Sequence, residues 1–94
     1  MAETQTAGMR RTTDHDRIER WAEERQGTPA IIESTWDGNT AVLQIDFGDP
    51  DESLMEITWD EFFRIFDDAE LEFIYEEYTE DGGASRRYDI TERS

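Results

Sequence analysis

The chain has 94 residues, of which 25 are Asp or Glu and 9 are basic, so its formal net charge is −16 at pH 7. This length suits one small domain, and the absence of cysteine excludes disulfides, zinc–thiolate sites, iron–sulfur clusters and a thiol nucleophile. No apolar run approaches the ~20 residues that cross a bilayer, and the amino terminus lacks the apolar centre of a secretory signal, so we predict no membrane segment.

The first residues are predicted to lie outside the folded domain. Residues 1–11 are mostly polar, with threonine and glycine prominent, which is typical of a flexible tail. The remainder contains no internal repeat and no linker rich in Pro, Gly or Ser. We therefore predict a flexible tail over 1–11 and a single domain over 12–93.

A first helix is predicted to begin at Thr13, whose hydroxyl suits the N-cap position. Ile18, Trp21 and Ala22 follow at the spacing of one helix face, so we expect them to contact the core. Gly27 ends the helical pattern, because glycine favours the backbone conformation in which helices stop.

Two strand patterns follow, on either side of a turn. The first predicted strand covers 29–35, and the Asp-Gly-Asn triplet at 37–39 is typical of a hairpin turn. Residues 41–47 form a second predicted strand, in which apolar side chains alternate with more polar ones. Such alternation indicates a sheet with one covered face and one wetter face.

The strongest local pattern begins at Thr58, after an acidic loop at 48–53 and a short predicted strand at 54–57. Thr58 and Glu61 have the spacing of a capping box, in which each side chain bonds to the backbone amide of the other residue. The aromatic residues that follow recur at helical spacing and are predicted to face the core: Trp59, Phe62, Phe63 and Phe66.

Two more strands are predicted at 71–78 and 86–91, joined by a turn at 80–85 that contains two glycines. The predicted order is α-β-β-(β)-α-β-β. We therefore expect an α+β domain with two helices packed on one face of a four- or five-stranded, mostly antiparallel sheet.

Several of these motifs resemble those of a family of short uncharacterised prokaryotic proteins. The likeness rests on Thr-Thr-Asp-His at 12–15, on Ile-Thr-Trp-Asp-Glu-Phe-Phe at 57–63, and on the strand at 71–75. Members of that family share a Thr-Asp-His start and an Ile-Ser/Thr-Trp-Asp-Glu-Phe-Phe segment. The resemblance covers roughly residues 12–93 and implies a common fold. The segment 86–88 departs from the family's pattern by one inserted residue, which leaves the register of the last strand open.

Some members of the family carry the label "1,4-alpha-glucan branching enzyme". Such enzymes are built on a (β/α)₈ barrel of about 250 residues, which a chain of 94 residues cannot form. The resemblance therefore implies a fold and no catalytic or cofactor-binding residues. We predict a protein that is not an enzyme and that needs no cofactor.

The composition also indicates a cell type. All the basic residues are arginine and lysine is absent, although lysine is usually among the commonest residues. An acidic, lysine-free composition is typical of proteins from halophiles, whose internal salt is molar. At such ionic strength the Debye length is about 3 Å, so the net charge says little about partners. We interpret the chain as a cytoplasmic protein of a halophile.

Acidic residues and the single histidine suggest three chemical sites, and none fits in detail. Asp14, His15 and Asp16 are consecutive, so they cannot all point to the same side of a helix. The loop 48–53 does not place a glycine and a bidentate glutamate where a calcium loop requires them, and whether it binds a specific cation stays open. The carboxylates within 76–81 would suit glycosidic chemistry only across a cleft. We predict no metal site.

The candidate partner surface consists of four apolar or aromatic residues: Trp36, Val42, Ile74 and Tyr78. Trp36 lies beside the predicted hairpin turn, where burial is difficult, and an exposed tryptophan is a typical binding anchor. Ile74 and Tyr78 point away from the predicted core face of their strand, and Val42 does the same on its own strand. We expect a small non-catalytic protein-interaction module, whose partner is another protein or a second copy in a homodimer.

Nucleic acid and carbohydrate are the alternative ligands. The arginines concentrate in the region Arg10 to Arg25, which would contact phosphates in a nucleic-acid-associated factor, although the net charge opposes that partner. Within this region Arg20 is expected to form helix-surface ion pairs with Asp16 and Glu24. An enzyme or a carbohydrate-binding protein would instead require a pocket with convergent carboxylates.

Overall fold

The fold is taken from a computed structural model, which describes residues 9–93. Two helices and six strands follow one another in this part of the chain. In order they are β1 (Met9–Thr12), α1 (His15–Glu24), β2 (Thr28–Ile32), β3 (Leu43–Asp46), β4 (Leu54–Glu56), α2 (Trp59–Asp68), β5 (Leu71–Glu76) and β6 (Tyr88–Glu92). A single turn of 3-10 helix, Glu33–Thr35, follows β2.

The strands form two sheets where the sequence predicts one. One sheet has the order β1-β5-β6 and the other has the order β3-β2-β4, and every pairing in them is antiparallel. The predicted α+β class and antiparallel pairing are therefore confirmed, whereas the single sheet of four or five strands is wrong. The sheets have separate central strands, since β2 pairs with β3 and β4 whereas β5 pairs with β1 and β6. They do not merge at β3 and β6 because the Tyr88 hydroxyl, and not a backbone ladder, bonds to the Ile45 amide there.

Strand β1 lies in the segment that was predicted to be tail. Met9, Arg10 and Arg11 pair with Glu76, Tyr75 and Ile74 of β5. The prediction of a flexible tail is therefore wrong for residues 9–11, and residues 1–8 of the predicted tail lie outside the described residues. The sequence of β1, Met-Arg-Arg-Thr, lacks the apolar–polar alternation of a typical strand. It forms a strand because the edge of β5 offers unpaired backbone groups.

Helix α1 has the predicted core face but a different cap. Ile18, Trp21 and Ala22 are all buried, as predicted. Asp14 replaces Thr13 as the N-cap, and its carboxylate accepts a hydrogen bond of 3.0 Å from the Asp16 amide. The helix is followed by Gly27, where a Cβ would lie 2.6 Å from the Ile45 side chain. A larger residue here would displace the side chains of Ile45 and Phe47, which favours glycine at this position.

Helix α2 shows half of the predicted capping box. The Thr58 hydroxyl accepts a hydrogen bond of 3.1 Å from the Glu61 amide, whereas the Glu61 carboxylate binds Arg64 at 2.5 Å. The predicted stripe is buried except for Trp59, which is half-buried. Ile65 joins the buried stripe.

The strands are shorter than predicted. The strand predicted over 29–35 ends at Ile32, because the next three residues turn into the 3-10 helix and the Thr35 hydroxyl donates to the Ile32 carbonyl. The strand predicted over 71–78 ends at Glu76. The register of the last strand, which the sequence left open, places Tyr88 opposite Tyr75 and Ile90 opposite Phe73.

Trp21 is the centre of an aromatic cluster that joins α1 to the β1-β5-β6 sheet. Its ring makes edge-to-face contacts with Phe47, Phe73, Tyr75 and Tyr88 at centroid distances of 5.3–6.1 Å. The indole N–H donates to the Glu76 carbonyl at 3.0 Å. Such a cluster combines burial of large apolar area with favourable ring geometry.

Arg25 is a buried cation at the end of α1, with only 4% of its surface exposed. Its guanidinium lies 4.6 Å from the Trp21 ring centroid. It donates to the carbonyls of Trp21 at 3.0 Å and Glu77 at 2.6 Å, and also to the carbonyl of Ser85. These bonds tie the end of α1 to both sides of the β5–β6 connection, a role that charge patterning along the sequence does not indicate.

We expect Arg25→Met to lower the free energy of unfolding by about 3 kcal/mol, because it removes charge-assisted hydrogen bonds and leaves buried carbonyls without partners. Urea denaturation measures this change. Arg20→Met is the matched control on the exposed side of α1 and should alter stability by less than about 0.5 kcal/mol. Equal effects of the two substitutions would contradict a structural role for Arg25.

Candidate functional site

Three of the depressions on the described surface bring together residues from different elements. We name them the Trp36 groove, between α2 and the β3-β2-β4 sheet; the edge cleft, between β3 and β6; and the Arg17 depression, between α1 and the end of β5. Each contains at least one residue of the predicted partner surface. They differ in the chemistry of their linings.

The Trp36 groove is lined mainly by apolar side chains and has a volume of about 180 Å³. Ile31 and Ile65, each 1% exposed, belong to the core beneath it. Trp36 and Met55 are 39% and 37% exposed and line the same groove, together with Ile57. Large exposed apolar side chains therefore surround a concave, apolar surface.

A hydrogen-bonded turn positions Trp36. Its amide donates to the Glu33 carbonyl at 3.0 Å, which closes the 3-10 turn. The next residue, Asp37, accepts bonds of 2.9 Å from the amides of Asn39 and Thr40. These amide bonds hold the pKa of the Asp37 carboxyl below its ordinary value. Trp36 therefore lies on a structured loop.

The rim of the groove carries a carboxylate that is already paired. Arg64 donates to Glu61 at 2.5 Å, to the Asn39 carbonyl at 3.0 Å and to Asp68 at 3.4 Å. The hydrogen bond to Glu61 is the main cause of a raised Arg64 pKa. Arg64 thus neutralises the only ionisable residue that lines the groove and links α2 to the loop that follows Trp36.

The edge cleft lies between the facing edges of the two sheets and has a volume of about 360 Å³. The Tyr88 hydroxyl spans the two edges, since it accepts from the Ile45 amide at 2.9 Å and donates to the Gln44 side chain at 3.1 Å. Burial is the main cause of a raised Tyr88 pKa. Val42, which is 47% exposed, lines the cleft.

The structure separates the four residues predicted to form one partner surface. Trp36 lines the Trp36 groove, Val42 lines the edge cleft, and Tyr78, which is 64% exposed, lines the Arg17 depression. Ile74 is half-buried, and its neighbours across the sheet are Arg11 and Asp89. The outer face around Ile74 therefore carries charge rather than a continuous apolar patch.

Met55 is the groove residue that the sequence analysis missed. It occupies the middle of the three-residue strand β4, next to Glu56, so no alternation long enough to assign a face surrounds it. Its exposure depends on where α2 crosses the sheet. The residues around Met55 therefore do not indicate that its side chain is exposed.

The carboxylates considered for chemistry are dispersed or already bonded. Glu76 accepts from the buried Ser85 hydroxyl at 2.6 Å, whereas Glu77 lies 3.8 Å from Arg10. Asp81 bonds to the Thr79 hydroxyl, and this bond is the main cause of its lowered pKa. In the acidic loop 48–53, Asp51 accepts from the amide and hydroxyl of Ser53 at 2.9 and 2.6 Å.

His15 packs between the two helices. Its ring stacks on Phe63 at a centroid distance of 4.0 Å, and its Nε2 lies 3.1 Å from Asp67 of α2. His15 therefore has a structural role, since it connects α1 to α2. Over residues 9–93, no group of three or more His, Asp or Glu side chains is arranged to hold a metal ion.

The arginines of the region 10–25 do not act as one surface. Arg25 is buried, and Arg10 and Arg11 form ion pairs with Glu77 and Glu72. Arg17 and Arg20 are exposed in the Arg17 depression. The ion pairs predicted for Arg20 with Asp16 and Glu24 are not among those formed within residues 9–93.

Comparisons with protein-family models, with curated proteins and with solved structures find no match to this chain. The resemblance to short prokaryotic proteins therefore stays a prediction. Within the described residues, neither helix has the length and apolar character needed to cross a bilayer.

We expect Tyr88→Phe to lower the free energy of unfolding by about 1 kcal/mol, because the Ile45 amide and the Gln44 side chain lose their hydrogen-bonding partner. Urea denaturation at neutral pH tests this. Tyr78→Phe, in an exposed ring, is the matched control and should have little effect. A larger loss from the control would contradict the bridging role of Tyr88.

The same two variants test whether ionisation of Tyr88 lowers the stability of the protein at alkaline pH. The Tyr88 pKa is raised above 10.0 in the folded protein, so its contribution to stability is complete below the ordinary tyrosine pKa. That contribution is lost as the pH rises through the folded pKa. We expect the alkaline decline in stability to be smaller in Tyr88→Phe than in Tyr78→Phe, measured as urea midpoints across alkaline pH.

Proposed function

We propose that the protein is a small non-catalytic interaction module that binds apolar side chains of a partner protein in the Trp36 groove. The observation that carries this proposal is the juxtaposition of two exposed, large apolar side chains, Trp36 and Met55, in one groove whose base is the buried pair Ile31 and Ile65. Exposed apolar residues scattered singly need no explanation, whereas a concave group of them is typical of a binding site.

The energetics favour a partner at this position. Covering apolar surface contributes roughly 25 cal/mol per Å², and a tryptophan at the centre of an interface is often among its strongest contacts. The loop that carries Trp36 is held by backbone and Arg64 hydrogen bonds, so little conformational entropy would be lost when it binds.

The chemistry of the groove supports binding rather than catalysis. Glu61 is the one ionisable residue in its lining, and it is engaged by Arg64 at 2.5 Å. A general acid or base requires a group that is free to exchange a proton with the substrate. A paired carboxylate at the rim instead suits a polar contact around an apolar centre.

We expect a photoreactive p-benzoylphenylalanine at position 55 to form a discrete adduct with one partner protein in the native cell. Trp36→Ala should reduce that adduct strongly, since it removes the other exposed wall of the groove. Immunoblotting of the adduct and mass spectrometry measure the result.

Two controls define the outcome of this experiment. The same photoreactive residue at the exposed position Glu80 should give no such adduct, and Tyr78→Ala should leave the adduct at position 55 unchanged. Adducts of equal yield at positions 55 and 80, or an adduct insensitive to Trp36→Ala, would contradict the groove as the binding site.

We further propose that the module acts in the salt-rich cytoplasm of a halophile. Its formal net charge of −16 is carried by one small domain without lysine, and like charges in so small a volume repel one another. Dissolved salt screens that repulsion and so favours the compact state.

We expect the free energy of unfolding to rise when KCl is increased from about 0.1 M to about 3 M, because the Debye length falls from about 10 Å to below about 3 Å. Thermal unfolding followed by circular dichroism measures this. Replacing several exposed glutamates by glutamine should reduce the salt dependence. Full stability at low salt with no increase at high salt would contradict the proposed cellular setting.

A further inference from the structure

We propose that the edge cleft binds an extended, arginine- or lysine-rich segment of a partner protein, which adds as a short strand beside Leu43, where the Tyr88 hydroxyl leaves the edge of β3 unoccupied. This surface is distinct from the Trp36 groove and does not depend on it. Addition of a strand to a sheet edge is a general mode of peptide recognition, in which the backbone provides affinity and alternate side chains provide specificity.

The register of the sheet shows which backbone groups point into the cleft. The Ile45 amide bonds to the Tyr88 hydroxyl on the side of β3 that faces β6. Alternate residues of an antiparallel strand direct their amides and carbonyls to the same side. Leu43 therefore directs its amide and carbonyl into the cleft, whereas Ala30 of β2 lies opposite Gln44 on the other side.

The opposite wall of the cleft is the edge of β6 that is not paired with β5. On β6, the Arg87 carbonyl bonds to Glu76 of β5, so Tyr88 and Ile90 direct their backbone groups away from β5 and toward the cleft. The Ile90 amide is bonded by the Asp89 carboxylate at 2.9 Å. The Asp89 side chain thus occupies the edge of β6. The backbone groups of Leu43 lie on the facing edge, across the cleft.

The side chains around the cleft specify the occupant. Val42, 47% exposed, provides an apolar contact beside Leu43. Asp89 also lines the cleft and is exposed, so it provides a carboxylate at the rim. The cleft has an apolar inner side, where Leu43 and Ile90 pack with the core, and an outer side that carries Asp89. An extended segment that alternates apolar and basic side chains matches these two sides, because successive residues of a strand point to opposite faces.

Charge favours a basic partner over a second copy of this chain. The net charge is screened at the salt concentration proposed above, so the comparison depends on groups in direct contact. A basic side chain meets the Asp89 carboxylate at the cleft itself, whereas a second copy would bring another edge that carries the same carboxylate.

A defined peptide tests the inference on the full-length, ¹⁵N-labelled protein. The probe is a capped seven-residue peptide in which arginine and valine alternate. We expect saturable shifts of the Leu43 and Tyr88 amide signals during titration, together with smaller changes elsewhere. The first control peptide has the same sequence with alternate backbone amides methylated, which keeps the side chains and charge but removes hydrogen-bond donors. The second replaces arginine by glutamate.

Variants of the protein locate the site. Asp89→Asn should raise the Kd by about twofold to fivefold, the range of an exposed ion pair, and Val42→Ser should also weaken binding. Asp81→Asn makes the same change of charge in the exposed β5–β6 turn and should leave the Kd nearly unchanged. Circular dichroism verifies that each variant is folded.

Several results would overturn the inference. One is equal binding of the methylated peptide, since it would reduce the interaction to charge attraction. Others are the absence of saturable shifts at Leu43, or concentration-dependent shifts there without peptide, which would assign the cleft to a second copy. Trp36→Ala should not alter peptide binding, so failure of the Trp36 groove and failure of the edge cleft are distinguishable.

Discussion

The architecture depends on the contact between Trp21 and Arg25 at the end of α1. The guanidinium lies on the indole ring and bonds to carbonyls of α1 and of the β5–β6 connection. A buried cation is costly unless its hydrogen bonds are satisfied, and here the carbonyls satisfy it without a buried carboxylate. This contact positions α1 against the β1-β5-β6 sheet, and the aromatic cluster around Trp21 fills the space beneath it.

A second connection, the Tyr88 hydroxyl, joins the two sheets through a side chain instead of a backbone ladder. Because the sheets meet in this way, β3 and β6 keep edges that face each other across a cleft. The Trp36 groove has a comparable origin, since Ile65 of α2 and Ile31 of β2 are buried where the helix packs on the sheet, whereas Trp36 and Met55 stay partly exposed. Both candidate surfaces therefore arise where one layer of the domain incompletely covers another.

The distribution of charge argues against nucleic acid and favours a partner with basic groups. Most arginines of the region 10–25 are engaged in ion pairs or buried bonds, which weakens the case for phosphate contacts. The acidic surface remains, and it surrounds an apolar groove and a cleft with carboxylates at its edge. These features favour partners that combine apolar side chains with positive charge.

The two helices, their buried faces, the α+β class and the antiparallel pairing can be predicted from the sequence alone. These features depend on local periodicity, as at Ile18 and Trp21 or Phe62 and Phe66, and on caps near Asp14 and Thr58. Three features depend on tertiary contacts: Met9 to Thr12 form a strand, the strands divide into two sheets, and Arg25 is buried. The tertiary structure also separated Trp36, Val42, Ile74 and Tyr78 and placed Met55 beside Trp36. The physical reason is that strand pairing and surface concavity depend on contacts between residues distant in sequence, for which no local spacing provides a signal.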